Sequence, residues 1–237
     1  DATLIPDFGQ AAFDEVRLNL GPFEQTFGEN RQFFSEGIEL FRKGRIFFSR
    51  RIGNAPTGSI GDLEDTEEVI EEPSRVKLLN AIKISGRTAN NLGIGVLNTI
   101  TGETFAKIQD TVTGQVREVL IEPLANYNIA VLDQQFNDNS SVSIINSNVT
   151  REGSFRDSNV TGLVFDLADK GNNFRLSGRG IMSNVSEIDN RTTGIRTELD
   201  FFRIKGKFRY RFGHDFADKE LDINDLGLNF TNNYNNF

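Results

Sequence analysis

From residue 76 onward, apolar and polar side chains alternate in segments of about ten residues, and short polar clusters separate them. Segments 76–88 and 92–101 flank Ala89-Asn90-Asn91, the pattern of a hairpin with a tight, Asn-rich turn. In the second arm Leu92, Ile94 and Val96 alternate with Gly93, Gly95 and Leu97. The same pattern predicts strands over 115–121, 126–136, 142–150, 159–168, 174–183 and 196–212. Their separators include Asn137-Asp138-Asn139-Ser140, Lys170-Gly171-Asn172-Asn173 and Asp189-Asn190-Arg191-Thr192, all turn-forming. No helical period is sustained over this span, and turns this short connect antiparallel neighbours. The expected architecture is all-β and antiparallel.

The first third is less regular. Val16, Leu18 and Leu20 alternate with Arg17 and Asn19 before Gly21-Pro22, which predicts a strand and its stop. The run 27–53 then mixes six phenylalanines, five arginines and three glutamates around Gly28, Gly37, Gly44 and Gly53. Its best strand is 45–52, and 36–41 suits a brief helical turn. Residues 54–75 read as a polar loop. Asp62, Glu64, Asp65, Glu67, Glu68, Glu71 and Glu72 crowd there without the D-x-[DN]-x-[DN]-G order of a calcium loop. The expected organisation is one domain. Residues 1–53 lead into a barrel and carry its first strands, 54–75 are an acidic loop, and 76–237 are antiparallel barrel strands with an incomplete C-terminal end.

Two features favour a transmembrane β-barrel. Strands of about ten residues suit a tilted crossing of the hydrocarbon layer, whereas soluble strands usually run about five or six. The alternation also sets apolar residues against charged ones. Phe202, Ile204, Phe208, Tyr210 and Phe212 share one parity, and Arg203, Lys205, Lys207, Arg209 and Arg211 hold the other. Phe174, Leu176 and Met182 are likewise set against Arg175, Ser177 and Arg179. A soluble sandwich with one solvated face also alternates, so both architectures stay open on pattern alone.

Composition narrows the chemistry. No stretch approaches ~20 consecutive apolar residues, which excludes a transmembrane helix, and 37% hydrophobic residues is compatible with a barrel whose interior is polar. A net charge of −8 argues against a broad nucleic-acid surface. Asp1-Ala2-Thr3 carries no initiator Met or apolar leader, the start expected of a mature chain or a fragment. Without Cys there is no disulfide or thiolate site, and one His leaves no ordinary zinc or copper site. His214 precedes Asp215 just beyond a predicted strand, but no G-x-S-x-G elbow accompanies it. No two carboxylates stand out as a glycosidase pair. Gly93-Ile94-Gly95 has Asn98 where a dinucleotide fingerprint needs its third glycine. Asn148-Val149-Thr150, Asn159-Val160-Thr161, Asn184-Val185-Ser186 and Asn190-Arg191-Thr192 fit the N-glycosylation pattern at the rate chance allows in an Asn-rich chain. Arg42, Arg45, Arg50 and Arg51 with Glu29, Glu36 and Glu39 suggest an internal ion-pair network; the competing reading is a lumenal site for an anionic or sugar ligand. No catalytic, cofactor-binding or metal-binding residue is expected.

Three stretches carry a resemblance: DATLIPDFGQ at 1–10, NRQFFSEG at 30–37 and FFSRRIG at 47–53. They resemble Bacteroidota-type outer-membrane proteins of unknown function that bear an N-terminal domain like family-9 carbohydrate-binding modules. KISGRT at 83–88, residues 93–98 and PLANY at 123–127 are similar to strands that follow in that family. The resemblance implies a β-barrel downstream of the sugar-module-like domain, which is absent here, and further strands beyond Phe237. It brings no catalytic residues. The expected protein is a non-catalytic surface, transport-associated or assembly component of the bacterial outer membrane. Its expected partners are outer-membrane lipid and other outer-membrane proteins or glycans, with no nucleic acid. The alternative is a soluble secreted β-sandwich that binds carbohydrate.

Overall fold

A computed structural model describes residues 29, 31–137 and 139–237, together with the backbone of residues 2–5. Among the described residues, thirteen strands form two antiparallel sheets. The main sheet is built from β1 (Ala2–Ile5), β3 (Leu78–Arg87), β4 (Leu92–Thr101), β7 (Ala125–Phe136), β8 (Ser140–Arg151), β9 (Asp157–Ala168), β10 (Phe174–Ser186), β11 (Arg191–Arg203), β12 (Tyr210–Ala217) and β13 (Tyr234–Asn236), in that spatial order. A smaller sheet, β2 (Glu67–Glu71), β5 (Thr104–Asp110) and β6 (Val116–Glu122), branches off between β4 and β7. Among the described residues the ten-stranded sheet is open, with β1 and β13 at its edges.

The antiparallel order follows from the turns. Asn91 adopts a positive φ of 61° and donates its N–H to the Thr88 carbonyl, closing the predicted hairpin between β3 and β4. Asp169 caps the β9–β10 turn by accepting from the N–H groups of Asn173 and Phe174. The predicted strand 196–212 is instead two strands. Gly206, at φ 105°, reverses the chain between β11 and β12, a conformation open to glycine because it lacks Cβ. The break also changes the faces. Phe201 pairs with Phe212 and Phe202 pairs with Arg211, so Phe202 lies on the side opposite Tyr210 and Phe212, against expectation.

One face of the main sheet is covered. Ala81, Leu97, Ile129, Val131, Ile145, Val149, Val160 and Ile181 point into a core completed by residues 31–53 and by Leu221, Ile223 and Leu226. The covering segment contains α1 (Gln32–Ser35) and 3-10 turns at Lys43–Arg45 and Ser49–Arg51. Here the predicted strand over 45–52 is corrected. Gly44 and Arg45 both have positive φ, so the chain cannot extend through them. Instead of alternating, the segment sinks Phe34, Phe41, Ile46 and Ile52 completely into the sheet, and each stabilises the fold by roughly 1.5–3 kcal/mol. Close approach requires small partners: a Cβ on Gly95 would lie 3.1 Å from Phe41 Cζ. The Gly93-Ile94-Gly95 triplet is therefore a seat for this segment.

The acidic stretch 54–75 is also corrected, because β2 lies within it. Four carboxylates in or beside one short strand repel in isolation; here Glu67 is met by Arg117 at 2.6 Å and Glu71 by Lys107 at 2.6 Å. The strand predicted around Val16 lies outside the described residues.

Candidate functional site

The two faces of the main sheet differ in an unusual way. On the face opposite the core, Ile84, Val96, Leu132, Ile144, Leu163 and Leu199 each expose between 46% and 51% of their area. Ile82, Ile94, Met182 and Ile195 extend the same surface. Monomeric soluble domains rarely leave so broad an apolar surface open. Towards the β9–β10 and β11–β12 turns it ends in rings: Phe174 stacks on Phe201 at 6.0 Å, and Tyr210 meets Phe212 at 5.4 Å.

The charges lie on the other side. Within β3, β4 and β7–β12, Lys83, Asp133, Asp166, Arg175, Arg179, Arg196, Glu198, Asp200, Arg211 and Asp215 all share the parity of the covered face. Only residues at strand ends, Asp157, Arg191 and Arg203, carry charge with the open parity. Charges on this side are paired, whether buried or exposed: Arg179 with Glu198 at 2.7 Å, Arg196 with Asp215 at 2.9 Å, and the exposed Arg211 with the buried Asp200 at 2.7 Å. Lys83 donates its ammonium protons to the Phe33 and Glu36 carbonyls, satisfying groups that the short α1 leaves without helical partners.

The ion-pair network expected within 27–53 is present in part. Glu29 accepts from Arg31 at 2.8 Å and from Ser49 Oγ at 2.6 Å, with Arg50 at 3.9 Å. Burial opposes the Glu29 charge, but the Arg31 and Ser49 bonds outweigh it and hold the carboxyl below its usual range. Arg51 donates to the Gly227 carbonyl, while Arg42, Arg45, Glu36 and Glu39 are exposed. A cleft of about 460 Å³ opens nearby, lined by Arg51, Thr57, Glu122, Tyr127, Arg151 and Asp225 among others. Two of its guanidinium groups are already neutralised, Arg151 by Asp225 at 2.9 Å and Arg156 by Asp222 at 2.7 Å. Burial opposes the Asp222 charge too, yet the Asn224 N–H and Arg156 keep its carboxyl below the usual range. An anionic ligand that paired with Arg151 or Arg156 would have to displace these carboxylates.

His214 lies inside β12, opposite Leu199, rather than in a turn beyond a strand. Its Nε2 meets the Asn235 amide oxygen at 2.7 Å and its ring meets Phe237 at 4.8 Å. Neither contact is a nucleophile or a carboxylate. Among the described residues, no group of three His, Cys, Asp or Glu side chains is placed to hold a metal ion. No described helix is long and apolar enough to cross a membrane, which says nothing of strands.

One feature escaped the sequence reading. Asn98, Asn128, Asn148, Asn159 and Asn184 are register partners across β4, β7, β8, β9 and β10, making one row on the open face. Asn148, Asn159 and Asn184 begin three of the four triplets that fit the N-glycosylation pattern. Those triplets have a strand logic: Asn and the Thr or Ser two residues on share the open face, while Val149, Val160 and Val185 are buried. Three Asn-Val-Thr/Ser triplets, each in a predicted strand or at the end of one, were the available signal.

Fold and surfaces together define an all-antiparallel β protein with an apolar open face and a second face that carries both the hydrophobic core and the paired charges. The chain belongs to the family of the domain of unknown function DUF5916, whose family model matches residues 1–237. No curated protein and no solved structure matches it.

Proposed function

We propose that this chain is part of the wall of a transmembrane β-barrel in a bacterial outer membrane, a surface, transport-associated or assembly component without catalytic activity. Residues 31–53 then fill the lumen side and the open face meets lipid. The segregation of charge carries this reading. A soluble sandwich turns its charged face to water and packs its apolar one; here the open face is apolar, while the charges share the other face with the core beneath residues 31–53, Lys83, Asp133 and Asp200 buried and Arg175 and Arg211 exposed. That arrangement suits hydrocarbon outside and a polar interior inside. β7–β11, at 12 or 13 residues each, also exceed the ~9–11 that a tilted crossing requires. The same apolar open face counts against the carbohydrate-binding sandwich.

In hydrocarbon every backbone group needs a partner, so the reading requires the sheet edges to pair with each other or with further strands. Tyr210–His214 on β12, beyond the reach of β13, is such an edge among the described residues. Extraction tests the reading. The full chain should leave the membrane fraction only with detergent and should migrate faster on gels before heating than after. A chain that is monomeric in buffer without detergent overturns it.

A further inference from the structure

We propose that the asparagine row on the open face is a headgroup belt: it contacts the polar headgroups of one membrane leaflet and sets the depth of the sheet. This rests on the membrane reading above.

The register aligns Asn98, Asn128, Asn148, Asn159 and Asn184 across five adjacent strands. Neighbours thicken the row. Asn98 Nδ2 donates to Asn126 at 2.6 Å and Asn128 at 2.8 Å, Asn146 Nδ2 donates to Thr161 at 2.9 Å, and Thr193 donates to Asn184 at 2.9 Å. A side-chain amide has two N–H donors and a carbonyl oxygen with two lone pairs. These mutual bonds use only part of that capacity, and the side chains stay partly exposed. In hydrocarbon the unused groups would have no partner and would be costly to bury. Against phosphate, ester and hydroxyl groups they find donors and acceptors without needing a charge of either sign.

The spacing fits. From Asn184 to Leu176 along β10 is about 27 Å at ~3.4 Å per residue, or about 20 Å of height once the strand tilts by ~40°, close to the ~25 Å apolar band of known barrels. Leu176 is the register partner of Phe201, next to the aromatic rim. The band is thus closed by amides at one end and by rings at the other. The small sheet β2-β5-β6 emerges from the amide end, between Thr101 and Ala125, where polar and acidic structure must be outside hydrocarbon.

The chain has no tryptophan, so single tryptophans report depth without background. Ile144→Trp and Asn148→Trp differ by four residues on one strand face. The full chain carrying each would be reconstituted in phosphatidylcholine vesicles brominated near the headgroup or near the chain end. Ile144→Trp should be quenched most by the deep bromines and Asn148→Trp most by the shallow ones. Deep quenching at both positions overturns the belt and leaves the membrane reading standing. Quenching at Ile144→Trp with none at Asn148→Trp means that protein covers the row, and overturns the belt as well. No quenching at either overturns both. Heat-modifiable migration verifies folding, and Thr150→Trp, the next open-face position, replaces Asn148→Trp if that variant does not fold.

Discussion

Lys43, on the covering segment, reaches Asp133 of β7 at 3.0 Å, and the Asp133 side chain is fully buried. Arg87 and the Ser143 hydroxyl complete the site, Ser143 at 2.6 Å. Burying a carboxylate is unfavourable unless cations and donors surround it, and here one cation comes from a residue about ninety positions away in sequence. Asp133→Ala should destabilise the fold by about 3 kcal/mol, because it strands two cations at once. Lys43→Ala should cost only about 1 kcal/mol, since Arg87 and Ser143 remain. Denaturant unfolding of the detergent-solubilised chain measures both. An unchanged midpoint for Asp133→Ala would show that this pair does not hold the segment in place.

Glu29 makes the same segment sensitive to acid. Its folded carboxyl titrates below the ordinary value of 4.5 because Arg31 and Ser49 outweigh the burial that opposes its charge. A depressed carboxylate contributes stability that is complete above the unfolded value and lost as pH falls through the folded one. The stability gap between the natural chain and Glu29→Gln should therefore be constant above 4.5 and shrink at lower pH. Chemical unfolding at a series of pH values checks this; a gap that widens on acidification contradicts it.

The strands of the main sheet were legible in the chain because a period of two and Asn-rich turns are local signals; β4 coincides with its predicted span, 92–101. The covering segment was not legible. Phe41 packs over Gly95 of β4 and Ile46 lies beside Ile145 of β8 and Gly162 of β9, and nothing local announces a chain folded over a sheet. β2 and β5 were missed for a related reason. Glu67 and Glu71 look like loop residues until Arg117 and Lys107 arrive from far along the chain. The asparagine row was visible residue by residue, but its alignment depends on register between strands.

Close packing of the covered face also makes glycine positions unequal. A Cβ on Gly194 would lie 2.3 Å from the backbone nitrogen and Cα of Leu221, whereas nothing lies within 4 Å of one on Gly180. Backbone cannot swing aside as a side-chain tip can, so Gly194→Ala should cost about 1–3 kcal/mol by displacing the Leu221 segment. Gly180→Ala, on the open face, should be close to neutral. Unfolding midpoints of the two variants make the comparison, and equal effects would refute the packing argument.

The sharpest quantitative consequence of the membrane reading concerns two positions on the open face. Leu163 lies in a register row with Ile94, Leu132 and Ile144, midway between the asparagine row and the aromatic rim. Tyr210 lies at that rim, 5.8 Å from Phe208 and 5.4 Å from Phe212. Arginine on a lipid face costs roughly 2–4 kcal/mol at the bilayer midplane and only about 0–1 near the interface. Leu163→Arg should therefore weaken folding into lipid vesicles far more than Tyr210→Arg. In water the order has no reason to hold, since an exposed arginine is readily hydrated at either position. Folding free energies of both variants in vesicles give the answer, and near-zero costs at both positions would place this face in solvent rather than in lipid.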